Sequence, residues 1–558
     1  MAEFSNAAVA TLLDRYGALL ELAGERSFRA RAYHNAADAI RAEPTPLTDL
    51  AAAGRLREIP GIGEGIAQAI GSILASGRFG LLDELAERYP LSLLELTQLP
   101  GVGVKTASRL FQDLGVVDLA TLEAAARKGR IRATKGMGPK LEATIVAGLE
   151  ALRRRTGRVS IGSALPAAQR LLGDLQTVLP SARIAVAGSV RRLEATVGDI
   201  DLVVAAADPD RAIELAQALP AFAKAERRDD TLRGELPLGL AADLVFTEPD
   251  QFGTALVAAT GNAAHLALLG TPLPVAADEA AVYAGCGKPW IPPELRQGTV
   301  EFARAAEIPG LVVIADIQGE FHCHSTWSDG GAKIEAMLAA AADRGYRELA
   351  ITDHSQSLGV ANGLSPERLR LQRAEIDRLD GTDGVRLFQG AEVEVSRDGR
   401  LDYANELLAR LDVVVASLHS GLRQPQAQLT DRLLGVLANP NVDIIAHPSG
   451  RLIERREGGD FDWPRVYAAA AEAGTALEIN ADPARLDLDD HHAAAALAAG
   501  CLLTINCDAH QPDGFATMPY GIAIARRAWA RPVDVLNCWP VAETEAWLRR
   551  RGQGQPLH

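Results

Sequence analysis

The feature that most constrains this 558-residue chain is a series of histidines and carboxylates in its C-terminal half. The series opens with Phe321-His322-Cys323-His324, continues through groups such as Asp353-His354, and closes with Asp508-Ala509-His510. Most of these groups follow apolar, β-prone runs, such as residues 349–351 and 413–415. Polar groups that recur at the carboxyl ends of strands are typical of an α/β barrel. Imidazoles and carboxylates that converge on one barrel mouth can bind two or three divalent cations and favour hydrolysis of phosphate esters.

Six of the eleven histidines belong to this series. Because polar side chains are seldom buried together without a metal, the series as a whole indicates a metal site. Cys323 lies between two histidines that share one strand face, so we expect it to point away and to pack in the core. The remaining histidines fit no strand-end pattern and are expected to be structural: His34, His265, His491, His492 and His558.

The bulk composition limits the class of protein. A chain of this length is too long for one core and predicts three or more domains. No apolar run approaches the roughly 20 residues that a membrane span requires, and the N-terminus resembles no signal peptide. The five cysteines are scattered without a CxxC pair, which favours a reducing cytoplasm. The net charge of −15 hides a basic stretch, since residues 101–155 contain eleven Lys and Arg against five Asp and Glu.

The first 155 residues have helical periodicity and contain a degenerate glycine repeat. Glu58-Ile59-Pro60-Gly61-Ile62-Gly63 recurs as Gln98-Leu99-Pro100-Gly101-Val102-Gly103, with a weaker copy at residues 135–140. A plain helix–helix turn also favours glycine, but repetition within a basic stretch predicts helix-hairpin-helix motifs that grip the sugar-phosphate backbone. The predicted DNA-contacting residues are Gly61, Gly63, Gly101, Gly103, Lys105, Gly136 and Gly138, with Lys135 and Lys140 as further phosphate neighbours. An exposed linker is expected around residues 153–162.

A second constellation lies in residues 163–250, where helices and strands alternate. Asp199 and Asp201 are two apart on a predicted strand and so face one way, and Asp243 lies on a later apolar strand. Three clustered carboxylates require divalent metal, and two Mg²⁺ ions there would align a 3′-hydroxyl with a nucleotide α-phosphate. An Asp-x-Asp alone is more typical of surface acids. The preceding Gly188-Ser189 favours nucleotidyl transfer by Asp199, Asp201 and Asp243, with Gly188, Ser189 and Arg192 holding the triphosphate.

Taken together, these motifs resemble the bacterial family-X DNA polymerases that carry a C-terminal polymerase-and-histidinol-phosphatase (PHP) domain. The resemblance covers nearly the whole chain and implies a multidomain α/β protein. It implies an 8-kDa-like helical domain with the first hairpin (1–85), a fingers-like helical domain with the other two (86–155), a nucleotidyltransferase-like α+β palm (156–250), a small thumb (251–300), a linker (301–318) and a distorted (β/α)7 PHP barrel (319–558).

The resemblance also implies a ligand set for a three-metal centre, with Mn²⁺, Zn²⁺ or Fe as the metals and Mg²⁺ or Mn²⁺ in the palm. The implied PHP ligands are His322, His324, Asp329, His354, Glu392, His419, His447, Asp508 and His510. Asp353 adjoins a ligand and is expected to support it rather than bind metal. Arg451, with Ser449-Gly450 before it, and Arg485 are further candidates for holding a substrate phosphate.

The sequence departs from the family pattern in two places. Gln68 stands where a family-X lyase has its Schiff-base lysine, so the 5′-deoxyribose-phosphate lyase step is not expected from that position. Residues 258–262 replace an aromatic thumb motif. Leu266 and Gly270 stand where an asparagine and an arginine would reach the incoming base and the template. These changes predict weak synthesis, whereas the PHP ligands show no comparable loss.

The sequence therefore predicts a DNA-repair enzyme that combines gap-filling polymerase activity with metal-dependent 3′–5′ exonuclease activity. The expected partners are gapped or primer–template DNA and deoxynucleoside triphosphates. We expect a cytoplasmic monomer without membrane contact. Two alternatives remain open: a PHP-type phosphatase of small molecules, and a non-polymerising, DNA-binding nuclease with a decayed palm.

Overall fold

The computed structural model describes residues 6–551, apart from positions 25–26, 42, 44, 46, 77, 98, 100, 135, 156–157, 224 and 237–239. The chain divides into two compact units, Met1–Thr156 and Gly157–His558. Among the described residues, no helix has both the length and the apolarity needed to cross a bilayer.

The first unit is helical, as the periodicity predicted. Its core contains leucine, isoleucine and alanine side chains from every part of the unit, including Leu13, Ile70 and Leu110. Its described helices are α1 (Asn6–Leu22), α2 (Ser27–Arg41), α3 (Leu47–Ala52), α4 (Glu64–Ser76), α5 (Gly80–Arg88), α6 (Leu93–Leu96), α7 (Val104–Leu114), α8 (Leu119–Arg127), α9 (Arg130–Ala133) and α10 (Pro139–Arg155).

The second unit begins with a five-stranded sheet in the order β2-β4-β7-β6-β5 and a separate pair, β1-β3. β4 and β7 are parallel and central. Every second residue of β7 is buried, and β4 follows the same pattern as far as Leu202, after which all of its residues are buried. The elements are β1 (Val159–Ser160), α11 (Ile161–Val178), β2 (Arg183–Val186), α12 (Gly188–Arg191), β3 (Thr196–Val197), β4 (Asp199–Ala205), α13 (Pro209–Gln217), β5 (Glu226–Arg228), β6 (Thr231–Leu236), β7 (Leu240–Thr247), α14 (Phe252–Thr260), α15 (Ala263–Leu269) and α16 (Glu279–Gly285).

A seven-stranded parallel sheet then curls into the predicted distorted (β/α)7 barrel. The strand order is β14-β13-β12-β11-β10-β9-β8, and a bridge between Cys323 and Ala509 nearly closes it. The elements are β8 (Gly319–Cys323), α17 (Ile334–Asp343), β9 (Glu348–Ile351), α18 (Pro366–Leu379), β10 (Arg386–Glu394), α19 (Asn405–Leu408), β11 (Val413–Ser417), α20 (Gln426–Leu437), β12 (Ile444–Ile445), α21 (Trp463–Ala473), β13 (Ala476–Asn480), α22 (Asp490–Ala498), β14 (Leu503–Asn506), α23 (Met518–Arg527) and α24 (Val541–Arg551).

Helix α24 forms the floor of the barrel. Its Trp547 is fully buried in the same apolar cluster as Phe321 and Phe388, whose side chains fill the barrel interior. The Thr544 hydroxyl donates to Glu348, the first residue of β9, at 3.1 Å. The helix therefore lies at the amino-terminal ends of the strands, which leaves the carboxyl ends free to form the mouth.

The expectation of an exposed linker at residues 153–162 is wrong for most of that stretch. Helix α10 continues to Arg155, β1 pairs with β3 through Val159 and Ser160, and α11 begins at the fully buried Ile161. Positions 156–157 lie outside the described residues. The basic run was misleading because arginines extend a helix as readily as they occupy a loop.

Candidate metal centre and its accompanying sites

The barrel mouth collects all nine predicted PHP ligands. His322 lies on β8, and His324 and Asp329 follow that strand. The remaining ligands lie at or after the carboxyl ends of β9, β10, β11, β12 and β14: His354, Glu392, His419, His447, Asp508 and His510. They come together because parallel strands place all of their carboxyl ends at one edge of the barrel.

Glu392 occupies the centre of this group and is nearly fully buried. Its carboxylate oxygens lie close to five imidazoles. The distances are 2.8 Å to Nδ1 of His354, 3.0 Å to Nε2 of His447, 3.3 Å to Nε2 of His419, 3.5 Å to Nε2 of His322 and 3.6 Å to Nε2 of His324. A carboxylate among so many ring nitrogens would be a suitable ligand for a divalent cation.

Two further groups extend the centre on either side of Glu392. Asp508 lies 3.1 Å from Nε2 of His324 and 3.6 Å from Nε2 of His322. Asp329 lies 3.6 Å from Nε2 of His354 and 3.5 Å from Nε2 of His510. Three sets of side chains each bring their ligand atoms within 4.8 Å of one another: His322, Glu392 and His447; His322, His324 and Asp508; and His324, Asp329, His354 and His510.

Unpartnered ring nitrogens support the fit of cations to this centre. Nε2 of His322, Nδ1 of His324 and Nδ1 of His447 are buried without a hydrogen-bond partner. Burial of a polar atom without a partner is unfavourable, and most such atoms in folded proteins are paired. All three of these nitrogens belong to predicted ligands in the barrel mouth, and bound divalent cations would supply the partners that they lack.

The electrostatics of the mouth also suit cations. Burial by itself raises the pKa of Glu392, yet the imidazoles of His354, His419 and His322 hold that pKa well below its ordinary value. Burial, together with the neighbouring His510 and His354, lowers the pKa of His324 to about 3. Glu392 is therefore ionised and His324 neutral, as metal ligands must be, whereas Glu392 and Asp329 outweigh burial and raise the pKa of His354 to about 10, so that a cation bound there would displace a proton.

Sequence reasoning missed two carboxylates that support the ligands, of which Glu478 is fully buried and Glu394 is 11% exposed. Glu478 on β13 lies 2.8 Å from Nδ1 of His322, and it accepts the backbone N–H of His447 at 2.6 Å. Glu394 lies 2.7 Å from Nδ1 of His419. Such carboxylates fix the orientation of an imidazole and increase its basicity. A signal was present, since residues 476–480 alternate between apolar and polar side chains, but the run carries no histidine.

Asp353 faces away from the mouth. Its carboxylate accepts hydrogen bonds from the backbone and hydroxyl of Ser325, from Ser328 and from Gln372. These bonds anchor the loop that follows β8 and carries His324 and Asp329. Cys323 is buried, with its thiol on the carbonyl of Ala350.

The two arginines proposed for phosphate binding differ in their contacts. Arg451 donates to the carbonyls of Arg485 and Leu486 and to Asp489, so its guanidinium supports the loop around residue 486. Arg485 instead lies against the metal centre, with its Nε 3.4 Å from Asp508 Oδ2. Of the two, Arg485 is the cation that faces the mouth.

The sheet carboxylates form a second candidate site. β4 and β7 pair in parallel so that Asp201 lies directly opposite Asp243, and the oxygens of both lie within 4.8 Å of those of Asp199. Burial, reinforced by the charges of Asp199 and Asp243, raises the pKa of Asp201 to about 7. The cost of crowding three carboxylates is the reason to expect a divalent cation there. Arg233 on β6 donates to Asp243 at 2.6 Å and is 49% exposed.

The Gly-Ser turn is fitted to this site through Gly188. A Cβ atom added at Gly188 would lie 1.8 Å from Oδ2 of Asp201, and its φ of +63° is unfavourable for other residues. Arg192 is turned toward the backbone, where it donates to the carbonyl of Thr260 at 2.7 Å and to Glu194 at 3.2 Å. Only glycine therefore allows the turn to pass directly over the Asp201 carboxylate.

The three glycine repeats of the first unit have one geometry. Gly61, Gly101 and Gly136 have φ near +80°, and the second glycine of each copy directly precedes a helix, α4, α7 or α10. The intervening side chains, Ile62, Val102 and Met137, are buried. Lys105 and Lys140 are exposed in the first turns of α7 and α10, whereas Glu64 begins α4. Lys135 lies outside the described residues.

Comparisons with known proteins agree with this arrangement. Residues 4–79 match the family described as helix-hairpin-helix domain, residues 93–151 a SAM-like helix-hairpin-helix tandem, and residues 320–480 the PHP domain. The DNA polymerase/3′-5′ exonuclease PolX of Bacillus subtilis is 34% identical over 97% of this chain and 98% of its own length. The chain belongs to the PolX family. A probable phosphatase of Edwardsiella ictaluri is 32% identical over 91% of its own length, but covers only 42% of this PolX chain.

The departures from the family pattern are visible in this PolX protein. Gln68 is exposed on α4, and the first lysine of the chain is Lys105. Leu266 packs beside the apolar cluster of α14–α16, and Gly270 is exposed with a φ of +90°. Neither position offers a polar side chain to a base.

Three of the histidines expected to be structural have protein partners. His265 is fully buried between Glu301, at 2.8 Å from its Nδ1, and the hydroxyl of Tyr283, at 2.7 Å from its Nε2. Nδ1 of His34 lies 2.9 Å from Asp14, and Nδ1 of His492 lies 2.6 Å from the hydroxyl of Tyr467. His491 is exposed, and His558 lies outside the described residues.

Proposed function

We propose that this chain is a DNA-repair enzyme that fills gaps with a polymerase site on the five-stranded sheet and trims 3′ ends with an exonuclease site at the barrel mouth. The observation that carries the proposal is the presence of two separate carboxylate-rich centres in a PolX chain whose first unit bears three helix-hairpin-helix turns. Its substrates are gapped or primer–template DNA and deoxynucleoside triphosphates, and it acts as a monomer in the bacterial cytoplasm.

On the sheet, Asp199, Asp201 and Asp243 would hold Mg²⁺ or Mn²⁺. The Gly188-Ser189 turn passes close enough to Asp201 for its backbone N–H groups to face a triphosphate held at the same carboxylates. The guanidinium of Arg233 forms an ion pair with Asp243, and the Arg233 side chain is half exposed. It can therefore turn toward a phosphate when a cation binds Asp243 instead. These residues align the reacting groups, which is the main source of rate in phosphoryl transfer.

At the barrel mouth, the nine predicted ligands would hold three cations, of which Mn²⁺, Zn²⁺ and Fe all suit a mixture of imidazole and carboxylate. In both sites, bound cations would supply Lewis acidity and neutralise phosphate charge. The chain itself contributes Arg485, whose guanidinium beside Asp508 is placed to bind a non-bridging phosphate oxygen. Asp329 and His510 are about one-third exposed and form the rim through which a 3′ end would enter.

Separate variants test the two centres. Asp199→Ala should abolish Mn²⁺-dependent extension of a primer across a one-nucleotide gap and leave 3′ trimming unchanged. His324→Ala should abolish 3′ trimming and leave primer extension unchanged. Loss of both activities in either variant would contradict two independent centres, and absence of extension by the wild-type protein would contradict the polymerase assignment.

A nuclease with a decayed palm is the second candidate, and two observations favour it. The guanidinium of Arg233 already donates to the Asp243 carboxylate, and neither Leu266 nor Gly270 has a polar side chain to contact a nascent base pair. Arg233→Ala separates the two possibilities. An active palm would retain extension with a weaker nucleotide affinity, whereas a decayed palm would extend no primer with either protein.

A phosphatase of small molecules is the weaker alternative, because such an enzyme has no need of three hairpins that bind a sugar-phosphate backbone. Hydrolysis of histidinol phosphate and of a 3′-recessed duplex should be compared with the same preparation. A preference for histidinol phosphate would contradict the nuclease assignment.

A further inference from the structure

Residues 188–194 form a tight turn that we call the nucleotide turn. Its own hydrogen bonds join the N–H of Glu194 to the carbonyl of Ser189 at 3.1 Å, and the N–H of Leu193 to the carbonyl of Val190 at 3.1 Å. Gly188 at its start rests on the Asp201 carboxylate. The position of this turn therefore fixes how its backbone amides face a nucleotide at the sheet.

The other side of the nucleotide turn rests on the barrel. Arg527, at the end of α23, is only 5% exposed, and its Nη1 donates to the carbonyls of Arg192 at 3.2 Å and Leu193 at 3.5 Å. Its Nε donates to Asp490 at 3.2 Å, which holds the guanidinium in place. The carbonyls at the end of a short helix lack helical partners, so a buried cation is well suited to bind them.

Two further contacts join β1 and the start of α11 to the barrel. The N–H of Ser160 on β1 donates to Glu454 at 2.6 Å, and a Cβ atom added at Gly162 would lie 2.6 Å from Pro483. Leu193 itself has a φ of +53°, an unfavourable conformation that its surroundings must maintain.

We propose that Arg527 is a positioning residue for nucleotide addition: through this side chain, the exonuclease barrel holds the nucleotide turn in the conformation that binds the incoming triphosphate. The inference rests on the proposed polymerase function of the sheet. It assigns to the barrel a role in synthesis that does not use the metal centre at its mouth.

Arg526 provides a matched control on the same helix. It is 11% exposed and also bridges away from the barrel, donating to Glu294 at 2.6 Å and to the carbonyl of Val312 at 3.0 Å. It makes no described contact with residues 188–194. Arg527→Ala and Arg526→Ala thus each remove a guanidinium group that is at most about one-tenth exposed, but only the former withdraws support from the nucleotide turn.

Arg527→Ala should raise the KM for the nucleotide on gapped DNA by about tenfold, the effect of losing hydrogen bonds from one charged donor. It should change kcat much less and leave 3′ trimming unchanged. Arg527→Lys should recover part of the affinity, and Arg526→Ala should retain the wild-type KM. An equal rise in both alanine variants would mean general loosening of the interface and would overturn the proposal, as would an unchanged KM in Arg527→Ala.

Hydrogen exchange supplies a readout that does not depend on polymerisation. Amides of residues 188–194 should exchange faster in Arg527→Ala than in Arg526→Ala, and unchanged exchange would contradict the proposal. If the wild-type protein adds no nucleotide, the polymerase assignment fails while this measurement still tests the support of the turn. If Arg527→Ala does not fold, hydrogen exchange of residues 188–194 is compared between Arg527→Lys and Arg526→Lys, and the former should again exchange faster.

Discussion

Replacement of Glu478 by glutamine perturbs the metal centre without removing a predicted ligand. The carboxylate accepts four contacts: Nδ1 of His322 at 2.8 Å, the side-chain amide of Asn506 at 2.9 Å, the backbone N–H of His447 at 2.6 Å and the side-chain amide of Asn480 at 3.1 Å. Glutamine has the same shape but only one acceptor oxygen. Its NH₂ group must therefore face donors on one side, and the negative charge beside His322 is lost.

The size of the effect follows from these contacts. Burial by itself raises the pKa of Glu478, but His322 and His447 hold that pKa below its ordinary value, so the group is ionised at neutral pH. A hydrogen bond to a charged group contributes about 1.5–3 kcal/mol. Loss of a carboxylate that orients a metal-bound histidine typically lowers metal affinity or activity about 10- to 100-fold. We expect a decrease within that range for Glu478→Gln.

The assay combines titration of the metal-free protein with Mn²⁺ and single-turnover trimming of a labelled 3′-recessed duplex. Glu320→Gln is the matched control. Glu320 is equally buried, accepts the backbone N–H groups of Cys507 and His322, and has its pKa raised by burial to about 8. Because that carboxyl group is protonated at neutral pH, glutamine resembles it and should change metal affinity little.

Two results would refute the reasoning. Equal losses of Mn²⁺ affinity in Glu478→Gln and Glu320→Gln would mean that any polar change in the barrel interior disturbs the mouth. An unchanged affinity in Glu478→Gln would mean that His322 keeps its orientation without this partner. In either case gap filling should remain at its wild-type rate, which reports that the protein is folded.

Three further outcomes follow from other parts of the protein. Glu279→Gln should lower the free energy of unfolding by about 3 kcal/mol, because it leaves the fully buried guanidinium of Arg296 and the partly buried one of Arg191 without their shared carboxylate; thermal denaturation measures this. Replacing both Lys105 and Lys140 with alanine should reduce the slope of log K against log salt for duplex DNA by about 2, as expected for two lost phosphate contacts, and an unchanged slope would place the DNA elsewhere. Borohydride should trap no Schiff base with a 5′-deoxyribose-phosphate end in the first helices, since no lysine precedes Lys105.

Much of the barrel was predictable because its chemistry lies where its strands end. His354, His419 and His447 each follow a short apolar run, and strand order follows from a parallel βα repeat. Glu478 was not predictable in this way. It lies within a strand rather than after it, and its partner, His322, lies 156 residues earlier, so only the near closure of the barrel brings them together.

The carboxylate site on the five-stranded sheet was also predictable only in part. The spacing of Asp199 and Asp201 fixed their common face, but not the pairing of β4 with β7 that places Asp243 beside them. Nor does any local pattern associate Arg527 with the carbonyls of Arg192, because that contact depends on how a barrel helix packs against a distant turn. Hydrophobic periodicity predicts which face of a helix or strand is buried, but it does not predict which other element packs against that face.

The burial of Trp547 has a practical consequence for anyone who divides this protein into fragments. The aromatic ring covers the base of an apolar cluster whose other members lie far earlier in the chain, so a fragment that stops before residue 541 would expose Phe321 and Phe388 to water. Such a fragment could lose trimming activity with every ligand intact. If a shortened barrel failed to cut DNA, the cause would then be the exposed apolar cluster at the bottom of the barrel, not an incorrect set of metal ligands.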